Sequence, residues 1–147
     1  MTQAIAGVGA KLYRQNPSTS AWEVYGEVNT ISGPGMSRDT IDATSLASTG
    51  GYREFITGFR DGGEVTFDMN FIHADVVKLF EDFDSNKARH FKIVLPDTVL
   101  STFSFDGLVT GIPHSIPPDD KVTVSVTIKV TGQTLFYSGA STTSTTT

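Results

Sequence analysis

The 147-residue sequence has no cysteine, which excludes a disulfide scaffold and any thiolate metal site. Basic residues are few: 11 Lys and Arg stand against 16 Asp and Glu, a net charge of −5. They never run longer than two, so the clustered cations that grip nucleic-acid phosphates are missing. No apolar stretch approaches the length of a membrane-spanning helix, and no membrane binding is expected. Residues 1–14 lack the basic flank and apolar run of a secretory signal, so the expectation is a chain folded in a cytoplasm. Core-building material is plentiful. Hydrophobic residues make up 38% of the chain and include 10 Phe, enough for one packed domain at this length.

The chain is organised around residues 62–95. Val65, Phe67, Met69 and Phe71 alternate with Glu64, Thr66, Asp68 and Asn70, the period of a half-buried strand. At His73 the period becomes helical. Val76, Val77, Leu79, Phe80 and Phe83 form an apolar stripe expected to pack inward, with Asp75, Lys78 and Asp82 opposite. Asp84-Ser85-Asn86 offers a stop. Phe91, Ile93 and Leu95 then restore the period of two.

Upstream, Val8 to Arg14 reads as a strand and 15–20 as a turn around Asn16-Pro17-Ser18. Trp22 to Ile31 reads as one strand, with Trp22, Val24, Gly26 and Val28 on one face and Glu23, Tyr25, Glu27 and Asn29 on the other. Ser32 to Gly51 shows neither period. A connection of that length inside a compact domain usually has a task, and its isolated Met36, Ile41 and Leu46 point to docking. Tyr52 to Phe59 is expected to be a strand, turning at Asp61-Gly62-Gly63 into the next. Downstream, a strand over Ser101–Phe105 continues past Gly107, residues 113–120 form a loop, and Val122 to Val130 alternates β-branched residues with hydroxyls and one Lys. From Ser138 the chain is a Ser/Thr-rich tail, expected to be flexible and separate from the domain at 1–137. The fold class is therefore mainly β: a sandwich or barrel of about seven strands with one flanking α-helix.

No catalytic constellation emerges. Gly7-Val8-Gly9 lacks a third glycine, no Gly-x-Ser-x-Gly occurs, and His73, His90 and His114 stand in separate contexts. Asp82, Asp84 and Asn86 imitate the start of a calcium loop. Lys87 and Ile93 occupy the positions where Gly and Glu are required. Neither an enzyme nor a cofactor is expected. Two readings remain at this level, a self-assembling structural protein and a monomeric binding module, for instance a carbohydrate-binding sandwich using Trp22, Tyr13 and Tyr25.

The ordered set from Val8 to Gly132 resembles the major tail tube proteins of long-tailed bacteriophages, especially those with non-contractile flexible tails. The likeness is carried by residues 52–67 (YREFITGFRDGGEVTF), the helix after them, Leu95-Pro96-Asp97, Phe105-Asp106-Gly107 and the Val/Thr strand ending at Thr131-Gly132. The resemblance implies a non-enzymatic virion protein made in the host cytoplasm. Its subunits form rings, usually of six, that join neighbouring sheets into one barrel and stack into a hollow tube for DNA delivery. The tube of a type VI secretion system would share this architecture. Implied partners are the chain itself, a tape measure protein, a tail terminator, tail-tip proteins and double-stranded DNA that passes without specific binding. The segment 32–51, with Met36, Arg38, Asp39, Ile41, Asp42 and Leu46, corresponds to the part that reaches between subunits and rings. Glu23, Glu27, Glu64 and Asp68 are the candidates for an acidic lumen, and Val76, Val77, Phe80 and Phe83 for helix packing.

Overall fold

A computed structural model describes residues 4–138. In chain order it contains β1 (Lys11–Gln15), β2 (Trp22–Val24), β3 (Val28–Ser32), β4 (Ser37–Asp42), β5 (Phe55–Asp61), β6 (Glu64–Asn70), α1 (His73–Asp84), β7 (Arg89–Val94), β8 (Ser101–Gly111), β9 (His114–Ser115) and β10 (Thr123–Ser138). One antiparallel sheet has the order β2-β1-β7-β8-β10-β6-β3, with β9 against the start of β10. β4 and β5 stand apart as a two-stranded ribbon. The mainly β fold with one flanking helix is thus the fold expected.

β8 and β10 are long enough to belong to both halves of the sheet. Register shifts after Thr127 and Thr131 let β10 bend, and the sheet curls around a single core. Leu12, Phe91, Ile93 and Phe105 enter that core from one half; Val65, Phe67, Met69, Val124, Val126 and Ile128 enter from the other. The alternation in β6 and β10 therefore means what its period implied. Phe71 does not: it lies beyond the end of β6 and is exposed. The last strand also runs past Gly132 to Ser138, eight residues beyond Val130. Of the Ser/Thr tail expected from Ser138, Ser138 itself ends β10, and 139 onward lies outside the described residues.

Trp22 to Ile31 is not one strand. It breaks at Tyr25–Glu27, where Glu27 adopts φ 49°, and β2 and β3 lie on opposite edges of the sheet. The break reverses the expected phase: Tyr25 is 3% exposed with its ring 5.7 Å from Phe67, while Val24 is exposed. Closing a curled sheet requires a corner, and an aromatic at that corner fills the gap between the two halves. Tyr25 N–H donates to the Leu12 carbonyl (3.0 Å) and Asn70 N–H to the Glu27 carbonyl (3.1 Å), tying both edges to three residues. Burial, then the nearby Asp82 charge, pushes the Tyr25 phenol far above its ordinary pKa.

α1 has the expected span and a rotated face. Val76 and Leu79 are buried together with Asp75 and Asp82, while Val77, Phe80 and Phe83 are 43%, 46% and 46% exposed. The cause is what the strands offer the helix. Arg14, 1% exposed on β1, donates from Nε and Nη2 to the two Asp82 carboxylate oxygens (2.7 and 2.9 Å). Arg89 Nε adds a third bond to Asp82 (2.9 Å), and Asp75 Oδ2 accepts the Gly26 N–H at the corner (2.9 Å). Burial opposes the Arg14 charge, but Asp82 outweighs it and the guanidinium pKa is raised. A carboxylate facing a buried guanidinium cannot be turned to water, so ion pairing overrides hydropathy in setting the helix rotation. Accordingly, Leu79→Ala should cost about 2–5 kcal/mol in a denaturant melt, while Val77→Ser should stay within about 0.5 kcal/mol of the parent. Equal losses at both positions would contradict this orientation.

Candidate functional site

The candidate site is a set of three surfaces. The first is the ribbon. Every residue of β4 is exposed, because Ser37–Asp42 pairs with β5 and faces no core. The expected loop at 32–51 is therefore half of a hairpin, and Arg38, Asp39, Ile41 and Asp42 lie on its strand. Met36 precedes the strand and Leu46 stands at the tip, both exposed. Thr44 and Glu54 lace that tip: Glu54 N–H donates to Thr44 Oγ1 (2.8 Å) and Thr44 N–H to Asp42 Oδ1 (2.9 Å). Tyr52, Phe55, Ile56 and Phe59 are exposed on the same ribbon. Sequence reasoning missed these four. The available signal was Phe55-Ile56, two consecutive apolar residues that put one hydrophobe on each face. A two-stranded ribbon is marginal alone in water, and this one exposes large hydrophobes on both of its faces.

The second surface is the outer face of the β3-β6-β10 region. Glu64, Thr66 and Asp68 point away from the core, in register with Lys129, Thr127 and Ser125, and with Ser32 and Thr30 on the other side. Ser125 Oγ donates to Asp68 (2.6 Å). Glu27 joins the rim by accepting from Asn70 Nδ2 (3.2 Å). Lys129, the cation on these strands, lies 3.4 Å from Asp61. Glu23 does not belong here. It sits on β2 at the opposite edge and accepts from Asn16 (3.1 Å) and the buried Arg14 (2.8 Å), which hold its pKa below the usual carboxylate range against its own desolvation. The corner at Tyr25–Glu27 is what separates it from Glu27.

The third surface is a pair of edges. β7 pairs with β8 only as far as Gly107, leaving Leu108–Gly111 and the continuing β9 open on that side. The outer side of β3 is open too, so among the described residues neither lateral edge of this polar-faced sheet has a strand partner.

Other candidates resolve into structural roles. Trp22 and Tyr13 flank Lys92, whose Nζ lies 4.4 and 5.0 Å from their ring centroids, and Tyr25 is in the core, so the three do not make one sugar platform. His90 bridges Asp106 and Ser104 across β7 and β8, but Ser104 is buried and offers no nucleophile. Asp82, first in the calcium-loop imitation, is held by two arginines.

Residues 7–136 match the family model described as lambda phage tail tube protein, TTP. The chain belongs to this family. It is a structural tail tube protein, a subunit of the hollow tube of a phage tail, and its place is the virion. Solved structures agree in fold. A chain from the tail of an empty gene transfer agent particle, refined with C6 symmetry, is 19% identical, with TM-score 0.71 over 92% of this chain and 100% of that one. A chain of the six-fold symmetrised anti-feeding prophage baseplate is 6% identical, with TM-score 0.73 over 97% and 100%. The SPP1 tail tube is 13% identical, with TM-score 0.66 over 92% and 80%. No curated protein matches the tail tube chain by sequence.

Proposed function

We propose that six copies close into a ring by pairing β3 of one subunit with the 108–111 edge of the next, and that the polar face carrying Glu64, Thr66 and Asp68 then lines the lumen. The observation that carries this reading is the sheet itself: apolar within, polar and uncovered outside, and open on both lateral edges. Open edges are a liability in a monomer, and closing them into a common barrel removes them. The C6 and six-fold symmetry of two structural neighbours supports six as the ring number. The ribbon, with Met36, Arg38, Asp39, Ile41, Asp42 and Leu46, makes contacts between subunits and rings. The protein assembles in the host cytoplasm on a tape measure protein, between a terminator and tail-tip proteins, and has no enzymatic role.

Double-stranded DNA must pass without adhering. A basic wall would release counterions and hold phosphates at every ring, whereas acids and hydroxyls let the duplex slide. The ring repeats each charge around the pore, so a modest preference per subunit becomes a strong field. Phage carrying Glu64→Lys with Asp68→Lys should still assemble tails but eject DNA slowly or stall, with relief at high salt. Unchanged ejection kinetics at low salt would remove these residues from the lumen. Electron microscopy of the purified protein at high concentration should show rings and tubes; monomers throughout would refute the tube reading.

A further inference from the structure

How one ring recognises the next is suggested by two features at opposite ends of the 123–130 part of β10, and the inference rests on the tube reading. Near Val130, the base of the ribbon and the bend of β10 enclose a groove of about 920 Å³ whose walls include Met36, Arg38, Phe59 and Arg60. Phe59 is 90% exposed. Arg38 and Arg60 are register partners across the ribbon, and like charges placed opposite one another destabilise a strand pair. Arg38 donates to Thr57 Oγ1 (2.8 Å), and neither guanidinium has a carboxylate partner among the described residues. Asp61, the acid in the groove, is already engaged by Lys129 (3.4 Å) and the Gly63 N–H (2.8 Å). An apolar wall beneath two unpaired arginines suits an anionic segment carrying an aliphatic residue.

Such a segment stands at the other end. Between β9 and β10, Ile116 is 73% exposed and Asp119 and Asp120 are exposed after Pro117-Pro118. Asp120 accepts only the Lys121 N–H (2.7 Å), and Asp119 has no partner among the described residues. Lys121 leaves the loop one net negative charge. The prolines restrict its backbone, so little freedom is lost on docking.

Thr123 and Val130 lie about 23 Å apart at roughly 3.3 Å per residue, so loop and groove cannot meet within one molecule. We infer that the loop 116–121 of one copy seats in the ribbon-base groove of a second copy in the adjoining ring. Asp119 and Asp120 meet Arg38 and Arg60, and Ile116 meets Met36 and Phe59. Because loop and groove are unlike surfaces at opposite ends of the subunit, the contact propagates head to tail and gives the tube a direction.

Two charge-reversed proteins test this: Arg38→Glu with Arg60→Glu, and Asp119→Arg with Asp120→Arg. Both should fold, by circular dichroism, and sediment as rings that do not stack. Mixed in equal amounts they should form tubes again, because each then offers the other an opposite charge. The neutral variant, Arg38→Gln with Arg60→Gln, should raise the protein concentration needed for tubes by roughly tenfold or more. Tubes of normal length from either reversed protein, a mixture that stays unassembled, or an unshifted neutral variant would overturn the inference. Failure of the parent protein to form tubes is a separate result and refutes the tube reading itself.

Discussion

Excising residues 36–61 and joining Gly35 to Gly62 should yield a protein that melts cooperatively and forms no tubes. The cut removes β4, the tip and β5 together, because β5 left alone would present an unpaired edge. The join is short. A Cβ on Gly63 would collide with the Gly35 carbonyl, so the two ends of the ribbon already touch, and Gly63 holds φ +71°, which suits a residue without a side chain. Among the described residues, none of the fifteen buried hydrophobic residues of the core lies in the excised segment. The loss should therefore appear in assembly, measured by electron microscopy and sedimentation, with the far-ultraviolet spectrum still that of a β protein. Tubes of normal appearance would show that the ribbon is dispensable. A collapse of the melt would show that it folds the domain instead.

Arg14→Met should be strongly destabilising. It leaves the Asp82 carboxylate, fully buried, with Arg89 alone, and it frees Glu23 from its buried partner. Breaking a buried pair by removing one member costs about 3–5 kcal/mol, against a total of roughly 5–15 kcal/mol for a domain. The melting temperature should fall by about 10–20 °C. Asp82→Asn should fall by a comparable amount, because two arginines then face a neutral amide. Glu81→Gln is the control: Glu81 is exposed and meets Arg14 at 3.4 Å from the solvent side, so its loss leaves no buried charge unpaired and the melt should move little. A small effect at Arg14 would mean that hydrophobic packing alone seats the helix.

Where a segment repeats one environment along its length, the sequence was enough to read it. β6, α1 and the 123–130 part of β10 each set a period over many residues, and those spans follow from it, whereas the continuation of β10 to Ser138 carries no such period. The break at Tyr25–Glu27 could not be read that way, because it depends on which two edges the chain must join. Nothing local distinguishes Trp22-Glu23-Val24-Tyr25 from the opening of an ordinary strand. The helix face was misread for a related reason. Hydropathy scores Asp75 and Asp82 as outward residues, and only the partners Arg14, Arg89 and the Gly26 N–H turn them inward. Of the proposed assembly surfaces, Met36, Ile41 and Leu46 stand out as hydrophobes without a period. Phe55, Ile56 and Phe59 were hidden because a strand that faces no core and a strand in a core are built from the same residue types. Three of the four acids assigned to the lumen share one region of the sheet, and Glu23 was lost at the corner that the pattern could not show.

The sheet face bearing Glu64 and Asp68 should line a channel once β3 meets the 108–111 edge of a neighbour. A helical reconstruction of tubes grown from the purified protein tests it most directly. The expected map is a hollow tube of six-fold rings whose inner wall is a continuous barrel, with the side chains of Glu64, Thr66 and Asp68 in the channel and no gap between β3 and the next subunit. A map with these three side chains on the tube's exterior, or with unpaired β3 edges between neighbouring subunits, would contradict it.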